Sequence, residues 1–567
     1  MRWVLLVLLC PLWVPRWALG RLLRRFRSRP TLLLVLRGSL PDLTPPPGLL
    51  GRLRPWGGPD LIPVLDAIAT ATRDPRIKTL LVRIDELSTG LARAEEVRSA
   101  LARAREAGKQ VLVYGAELGL AGYWIALGAS SVRLSPTGSL NVSGVAMEFT
   151  LLEGLLSRAG IRAQLLAQGK YKSAREMFTA RELSPANREM LTSLVNDLGA
   201  QLVALMASAR GHSLERAAAE LNAGPFRADE ARERGLIDRT QYWDEIWDEV
   251  GGESSQVQTV SGYRKSHELA RWLPRRPATV GLLRISGNIR LGQDRPGASG
   301  PGATGNQSLR RALRQLTRAP DLGAIVVRVE SPGGSALASD LMWRELSLAA
   351  QKKPLFVSMV NVAASGGYYT SALKGVPVWA CPTTLTGSIG VLGGKFEASE
   401  LLARLGVGRA SIGSGPRADF YSSSRPWDAE ELEKLDRDLE TLYRDFVTKM
   451  ADARGLSYEA MHAVAQGRVW TGKQARDVAL VDRLGGLYEV ALGVRERLGL
   501  APDSELRFRL PSQPRGLGAR RALAAEEASL AALWQRLPGI QGLIERALDL
   551  EGERLLALAP VELRVRG

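Results

Sequence analysis

Short apolar runs alternate with amphipathic stretches along most of this chain. Leu32 to Leu36 is a run of apolar residues, and Leu61 to Thr72 repeats apolar positions at helical spacing. Thr79 to Ile84 is a second run, Ala92 to Ala107 a second helical pattern, and Gln110 to Tyr114 a third run. The alternation returns later with Ala324 to Val329, a helical pattern from Ala336 to Ala350, and Leu355 to Val360. Apolar runs of this length, rich in β-branched residues and bounded by turn residues, predict strands covered on both faces. Strands that alternate with helices predict an α/β fold with a parallel sheet.

The two regions are copies of one another. Leu80-Leu-Val-Arg-Ile84 aligns with Ile325-Val-Val-Arg-Val329 at an offset of 245, and Gly122-Tyr123-Trp124 aligns with Gly367-Tyr368-Tyr369 at the same offset. Thr137-Gly-Ser139 pairs with Thr386-Gly-Ser388, Ala209-Arg-Gly211 with Ala453-Arg-Gly455, and Gly235-Leu-Ile-Asp-Arg239 with Ala479-Leu-Val-Asp-Arg483. A period of domain size marks a fused duplication rather than a solenoid. The expected organisation is a segment 1–29, a first copy at 30–245, a linker at 246–277, a second copy at 278–495 and a helical tail at 496–567. Leu291 to Gln307, rich in Gly and Pro, reads as a mobile loop.

Three stretches carry candidate chemistry. Leu355 to Val360 leads into Ala363-Ala-Ser-Gly-Gly367, which presents the Ser365 hydroxyl at a strand-to-helix turn without bulky neighbours. Ala324 to Val329 leads into Ser331-Pro-Gly-Gly-Ser335, a turn that presents backbone N–H groups able to stabilise an oxyanion. Gln168-Gly-Lys-Tyr-Lys-Ser-Ala-Arg-Glu176 holds two lysines, and Ser173 and Glu176 have capping-box spacing. A helix starting there would place Lys172 at its positive end, which together with burial favours a neutral amine able to take a proton from a serine. Lys170 and Lys172 both remain open on this reasoning.

The copies differ at these positions in complementary ways. Ser365 aligns with Leu120, and Gly333-Gly334 with Ser88-Thr89. The Lys172 position aligns with Pro416 or Arg417, and an arginine cannot serve as a base. One copy keeps a serine and the other a lysine, which implies one composite site.

Composition narrows the alternatives. The 567 residues include 76 Lys and Arg against 59 Asp and Glu, a net charge of +17. The arginines are scattered, without a basic-aromatic patch, so nucleic acid is not an expected partner. With only Cys10 and Cys381, neither a disulfide framework nor a four-cysteine zinc site can form, and no metal or cofactor is expected. The histidines, His212, His267 and His462, lie outside glycine-rich and strand-end motifs, and structural roles are expected for all three. Trp3 to Val14 is apolar but broken by Pro11, and five arginines follow between Arg21 and Arg29. This pattern suits a membrane anchor or interfacial helix with a basic flank, and charge bias alone would leave that flank in the cytoplasm.

Five motifs occurring in order give the chain a resemblance to the signal peptide peptidase A (protease IV) family in its long, duplicated form. They are Gly169-Lys-Tyr-Lys-Ser-Ala174, Ser331-Pro-Gly-Gly334, Ala364-Ser-Gly-Gly-Tyr368, Leu385-Thr-Gly-Ser-Ile-Gly390 and Gly467-Arg-Val-Trp-Thr-Gly472. The resemblance implies a tandem duplication of a Clp protease/crotonase-like fold of stacked ββα units. It also implies Ser365 as nucleophile, Lys172 as general base and Ser388 as the residue orienting the lysine. Gly334 and Gly366 would supply oxyanion N–H groups, with Gly333 permitting the turn. Further implications are a membrane-bound homotetramer, lipid contact through the N-terminal segment, and released signal peptides or similar unfolded apolar peptides as substrates. The location implied is the bacterial inner membrane with the body on the periplasmic side. The alternatives are a related Ser/Lys quality-control protease of membrane proteins, a non-catalytic scaffold of the same fold, and a crotonase-like acyl-CoA enzyme.

Overall fold

The computed structural model describes residues 29–44, 58–252, 256–270, 277–295, 302–512 and 555–558. The expected membrane segment, apart from Arg29, and residues 513–554 and 559–567 of the expected helical tail lie outside the described residues. The chain forms two compact units. One contains the described residues up to Ala146 and those from Leu198 to residue 270; the other contains Met147–Asp197 together with those from Pro277 onward. The compact units therefore do not follow the sequence repeat. Fifty or so residues of the first copy, including the lysine stretch, fold into the unit of the second copy.

In the first unit six parallel strands lie in the order Val257–Thr259, Thr31–Gly38, Thr79–Leu87, Gln110–Gly115, Ser131–Leu134 and Arg239–Thr240. Helices Leu61–Arg73 and Leu91–Glu106 bury Ile68, Ala71, Val97 and Leu101 against the sheet, as their apolar spacing predicts. The stretch expected to be a linker contributes a strand to this sheet, Val257–Thr259, and a helix, Val260–Ala270. Its polarity hid the strand, because an edge strand needs only a few apolar side chains.

The second unit repeats the plan and adds to it. Strands Leu506–Arg509, Ala278–Ser286, Leu322–Ser331, Leu355–Ala364 and Leu385–Gly387 run parallel, and Val469–Thr471 closes the path antiparallel to Leu385–Gly387. A second sheet takes the order Ala303–Gly305, Asn288–Arg290, Gly333–Ser335, Leu555–Leu558, Val391–Glu397 and Arg162–Gln168. Residues 296–301 of the expected mobile loop lie outside the description, but Ala303–Gly305 is a strand and Asn306 opens a helix. Likewise the tail, expected to be helical, forms strands at Leu506–Arg509 and Leu555–Leu558. Leu506-Arg-Phe-Arg509 alternates with period two, the pattern of a half-buried strand.

Equivalent hydrogen bonds mark the duplication within each unit. The Tyr123 hydroxyl donates to Leu236 O at 2.9 Å, and Tyr368 to Leu480 O at 3.0 Å. Asp238 accepts from Val132 N–H and from Arg210, while Asp482 accepts from Val378 N–H and from Arg454. Among the described residues one helix, Pro185–Arg210, is long and apolar enough to cross a membrane, with 39% of its most apolar window buried. Its Met190 and Leu194 are fully buried beside Leu385 and Val469 in the second unit.

Candidate active site

The Leu355–Ala364 strand is buried along most of its length and ends at Ser365, which is itself fully buried. Ser365 adopts φ 56° and ψ −114°, a conformation unfavourable for a side chain with a Cβ. Such strain persists only where the surroundings enforce it. Here Ser365 N–H donates to Gly387 O at 2.8 Å, and Ser365 O accepts from Tyr369 N–H at 2.8 Å. The small residues Gly366 and Gly367 then open the helix Gly366–Ser371, whose first N–H groups have no intrahelical acceptors. The carbonyl of Ser331 lies 2.5 Å from where a Cβ on Gly367 would stand, so glycine is required there.

The lysine arrives on a separate strand. Arg162–Gln168 pairs antiparallel with Val391–Glu397, from Val391 opposite Gln168 to Glu397 opposite Arg162. This ladder carries Lys172 under the Leu385–Gly387 strand end. Lys172 is 2% exposed, and its Nζ lies 2.7 Å from Ser365 Oγ, 2.9 Å from Ser388 O and 3.1 Å from Ser388 Oγ. Neither hydroxyl nor carbonyl compensates a full positive charge. Burial therefore pushes the amine well below the usual lysine range. A neutral amine has two N–H groups and one lone pair. Ser388 O and Oγ can take the two N–H groups, which leaves the lone pair for the Ser365 hydroxyl proton.

Of the two causes expected, burial holds and the helix dipole is corrected. Ser173 and Glu176 do not form a capping box: Ser173–Arg175 is a single 3₁₀ turn and Glu176–Thr179 a single helical turn. The Glu176 carboxylate instead accepts from Ser184 Oγ at 2.6 Å and Asn187 Nδ2 at 2.9 Å, at the start of helix Pro185–Arg210. A one-turn helix has little macrodipole, so burial alone lowers the lysine. The structure also separates the two lysines. Lys170 is 58% exposed, near the Tyr171 ring and Glu189.

Gly333 and Gly334 form the short strand Gly333–Ser335 with φ +108° and +151°. A Cβ on Gly334 would meet Ile289 O at 2.0 Å, so any side chain would push the two strands apart. Gly333 N–H donates to Ser331 Oγ at 3.2 Å, which holds the turn. Antiparallel to this strand lies Leu555–Leu558, with Gly334 opposite Ala557, and Leu392 lies opposite Leu556 on its other side. An extended apolar segment thus fills the one-strand gap between Gly333–Ser335 and Val391–Glu397.

The counterparts in the first unit lack these groups. Leu120 opens the helix Leu120–Ala126 with a buried isobutyl group, and the Thr89 hydroxyl donates to Ser39 O. In the second copy Arg417 is exposed beside Glu430. His462 Nδ1 lies 2.9 Å from the Tyr443 hydroxyl, and burial lowers His212. Among the described residues neither histidine hydrogen-bonds Ser365 or Lys172, and no cluster of three His, Cys, Asp or Glu side chains could hold a metal ion.

The motif Gly467-Arg-Val-Trp-Thr-Gly472 carries no expected chemical role from its sequence. The structure places it against the lysine. Gly467 has φ +78°, and a Cβ there would lie 2.5 Å from Lys172 N. Arg468 O accepts Ser388 N–H at 2.6 Å, and Tyr171 N–H donates to Gln466 O at 2.8 Å. The signal was the glycine-arginine pair, but its partners come from distant stretches of chain.

A strained serine facing a buried amine, on a duplicated α/β frame, has the chemistry of a serine hydrolase, and comparison with known proteins gives the same class. The model of Peptidase family S49 matches residues 103–256 and 347–500. The chain is 31% identical over 472 residues to Serine protease SPPA, chloroplastic, of Arabidopsis thaliana, covering 82% of this chain and 68% of that protein. It is 31% identical over 393 residues to Protease 4 of Salmonella typhi, covering 67% and 62%, and 26% identical over 447 residues to Protease 4 of Haemophilus influenzae, covering 75% and 71%. Among solved structures ClpP1 from Listeria monocytogenes matches 36% of this chain and 91% of its own, at 14% identity and a TM-score of 0.22. The chain belongs to peptidase family S49, carries the family's domain twice, and is a serine peptidase.

Proposed function

We propose that Ser365 is the nucleophile and Lys172 the general base of a membrane-associated endopeptidase that degrades cleaved signal peptides and similar unfolded apolar peptides. The observation that carries this reading is the buried Lys172 amine, 2.7 Å from Ser365 Oγ. Lys172 Nζ takes the Ser365 proton as Oγ attacks the peptide carbonyl. The resulting oxyanion accepts from the N–H groups of Gly334 and Gly366. The protonated Lys172 then returns its proton to the leaving amine, and water, deprotonated by the same amine, cleaves the acyl-enzyme. Ser388 holds Nζ in line through both of its oxygens.

An extended substrate would be read mainly through its backbone, as an added strand beside Gly333–Ser335. Leu555–Leu558 lying in that gap supports an apolar, extended ligand. The site needs residues from both sequence copies, 30–245 and 278–495, and the tandem units form a homotetramer. Membrane association through segment 1–29 at a bacterial inner membrane, with the body on the periplasmic side, completes the proposal. It follows from the apolar, arginine-flanked sequence there and from the family resemblance.

The test is peptide hydrolysis by Ser365→Ala, Lys172→Ala and Lys170→Ala. The first two should each lower kcat by ~10³-fold or more, and the double variant should be little worse, since the pair acts as a unit. Lys170→Ala should keep its activity. Activity surviving in Lys172→Ala, or lost in Lys170→Ala, overturns the assignment of the base.

A further inference from the structure

Lys172 occupies a turn that nothing holds covalently, and its Nζ must stay within hydrogen-bond reach of two serines on different turns. Three backbone bonds link the turns: Tyr171 N–H to Gln466 O, Gly467 N–H to Ile389 O at 2.7 Å, and Ser388 N–H to Arg468 O. The residues 466–468 therefore bridge the lysine turn and the Ser388 turn. One side chain clamps that bridge. The Arg468 guanidinium lies 4.8 Å from the centroid of Tyr171, the residue before Lys172, and 4.6 Å from that of Trp470. It donates to Glu189 Oε1 at 2.8 Å, and Glu189 also accepts from the Tyr171 hydroxyl at 3.0 Å. Arg468 is 18% exposed, and its Nε is buried without a hydrogen-bond partner. A planar cation near two ring faces, with one N–H on a carboxylate, is an arrangement lysine cannot reproduce.

We propose that Arg468 is a positioning residue: by stacking on Tyr171 and Trp470 and pairing with Glu189, it fixes the Lys172 turn against the Ser388 turn. The proposal rests on the reading of Ser365 and Lys172 as nucleophile and base. The charged groups nearest in the chain are engaged elsewhere: Lys170 and Arg468 with Glu189, and Glu176 with Ser184 and Asn187. The turns carrying Ser365 and Ser388 present only hydroxyl and carbonyl oxygens to it. Removing the arginine therefore loosens the turn whose burial keeps the amine neutral. Water admitted there eases protonation of Lys172.

The experiment measures kcat, KM and the pH profile of the full chain with Arg468→Met, Arg468→Lys and Glu189→Gln, each normalised to sites titrated by a fluorophosphonate. Misplacement of a reacting group by about 1 Å costs on the order of 10²-fold. Arg468→Met should lower kcat by 10-fold or more with KM within twofold, and move the rising limb of kcat/KM to higher pH. Arg468→Lys should lose kcat to a similar extent and displace the limb in the same direction, because an ammonium cannot reproduce the stacked planar contact. Glu189→Gln, on a half-exposed position, should lower kcat about threefold, and combined with Arg468→Met should add nothing further. An Arg468→Met enzyme with kcat within twofold and an unmoved limb overturns the proposal, whatever its melting temperature. If Arg468→Met does not fold, Glu189→Gln with unchanged kcat overturns it. Activity in Ser365→Ala would instead sink the nucleophile assignment on which it rests.

Discussion

Replacing Lys172 by Met should abolish activity and yet gain stability relative to the parent as pH falls below the unfolded lysine value. Consider both forms in a Ser365→Ala background, which prevents self-digestion. In the unfolded chain Lys172 titrates near 10.4, whereas in the folded chain burial holds it well below that range. The unfolded state then binds more protons, so stability rises with pH between the folded and the unfolded value. The slope is about 1.4 kcal/mol per pH unit, so the cost of stripping the proton grows as pH falls from the unfolded value toward the folded one. Methionine removes that cost. It also leaves the buried Ser388 O and Oγ without the Nζ bonds seen at 2.9 and 3.1 Å, a loss of about 1 to 3 kcal/mol. The variant should therefore be less stable than its parent above about pH 10.4, and should gain on it by about 1.4 kcal/mol for each pH unit below that, down to the folded value. Urea unfolding of the second unit, followed by tryptophan fluorescence from pH 7 to 10.5, measures the difference. Two stability curves that run parallel with pH would refute the reasoning, because they would mean that Lys172 is charged in the folded state.

Two further predictions concern the same site. Because the base must be neutral, kcat/KM should rise as pH increases through the depressed Lys172 value, and replacing His212, His267 and His462 together by Gln should leave that limb in place. A pH profile of the triple variant checks this, and loss of the limb would return the role to histidine. Gly334→Ala forces a Cβ to within 2.0 Å of Ile289 O at φ +151°. It should cost about 1–3 kcal/mol of stability and, by displacing an oxyanion donor, 10²–10³-fold in kcat, read from melting curves and steady-state kinetics.

The duplicated α/β plan was legible because strand runs and helical patterns repeat at one offset, and the structure places Ala336–Ala350 and Leu355–Ala364 where that pattern predicts them. The composite site was legible for a different reason. The copies keep complementary halves, Ser365 opposite Leu120 and Lys172 opposite Pro416 or Arg417. How the lysine travels was not legible. Arg162–Gln168 carries too little apolar alternation to reveal that its partner is Val391–Glu397, more than two hundred residues away. Of the two causes expected for the lysine's shift, burial is found and the helix dipole is not, because capping-box spacing does not reveal that Glu176 is taken by Ser184 and Asn187. Leu555–Leu558 was invisible as a strand, since Leu-Leu-Ala-Leu inside a leucine-rich tail suits a helix equally well. Arg468 shows the same limit, for its clamp is assembled from Tyr171, Glu189 and Trp470, and only the last is nearby in sequence.

The most direct test of Ser365 and Lys172 as a reacting pair is covalent. The folded chain is treated with a fluorophosphonate at several pH values, digested, and mapped by mass spectrometry, with Lys172→Met alongside. The predicted result is a single label on Ser365, formed faster as pH rises, and nearly absent from the Lys172→Met protein. A label on another serine, or labelling of Ser365 at an equal rate in Lys172→Met, would contradict it.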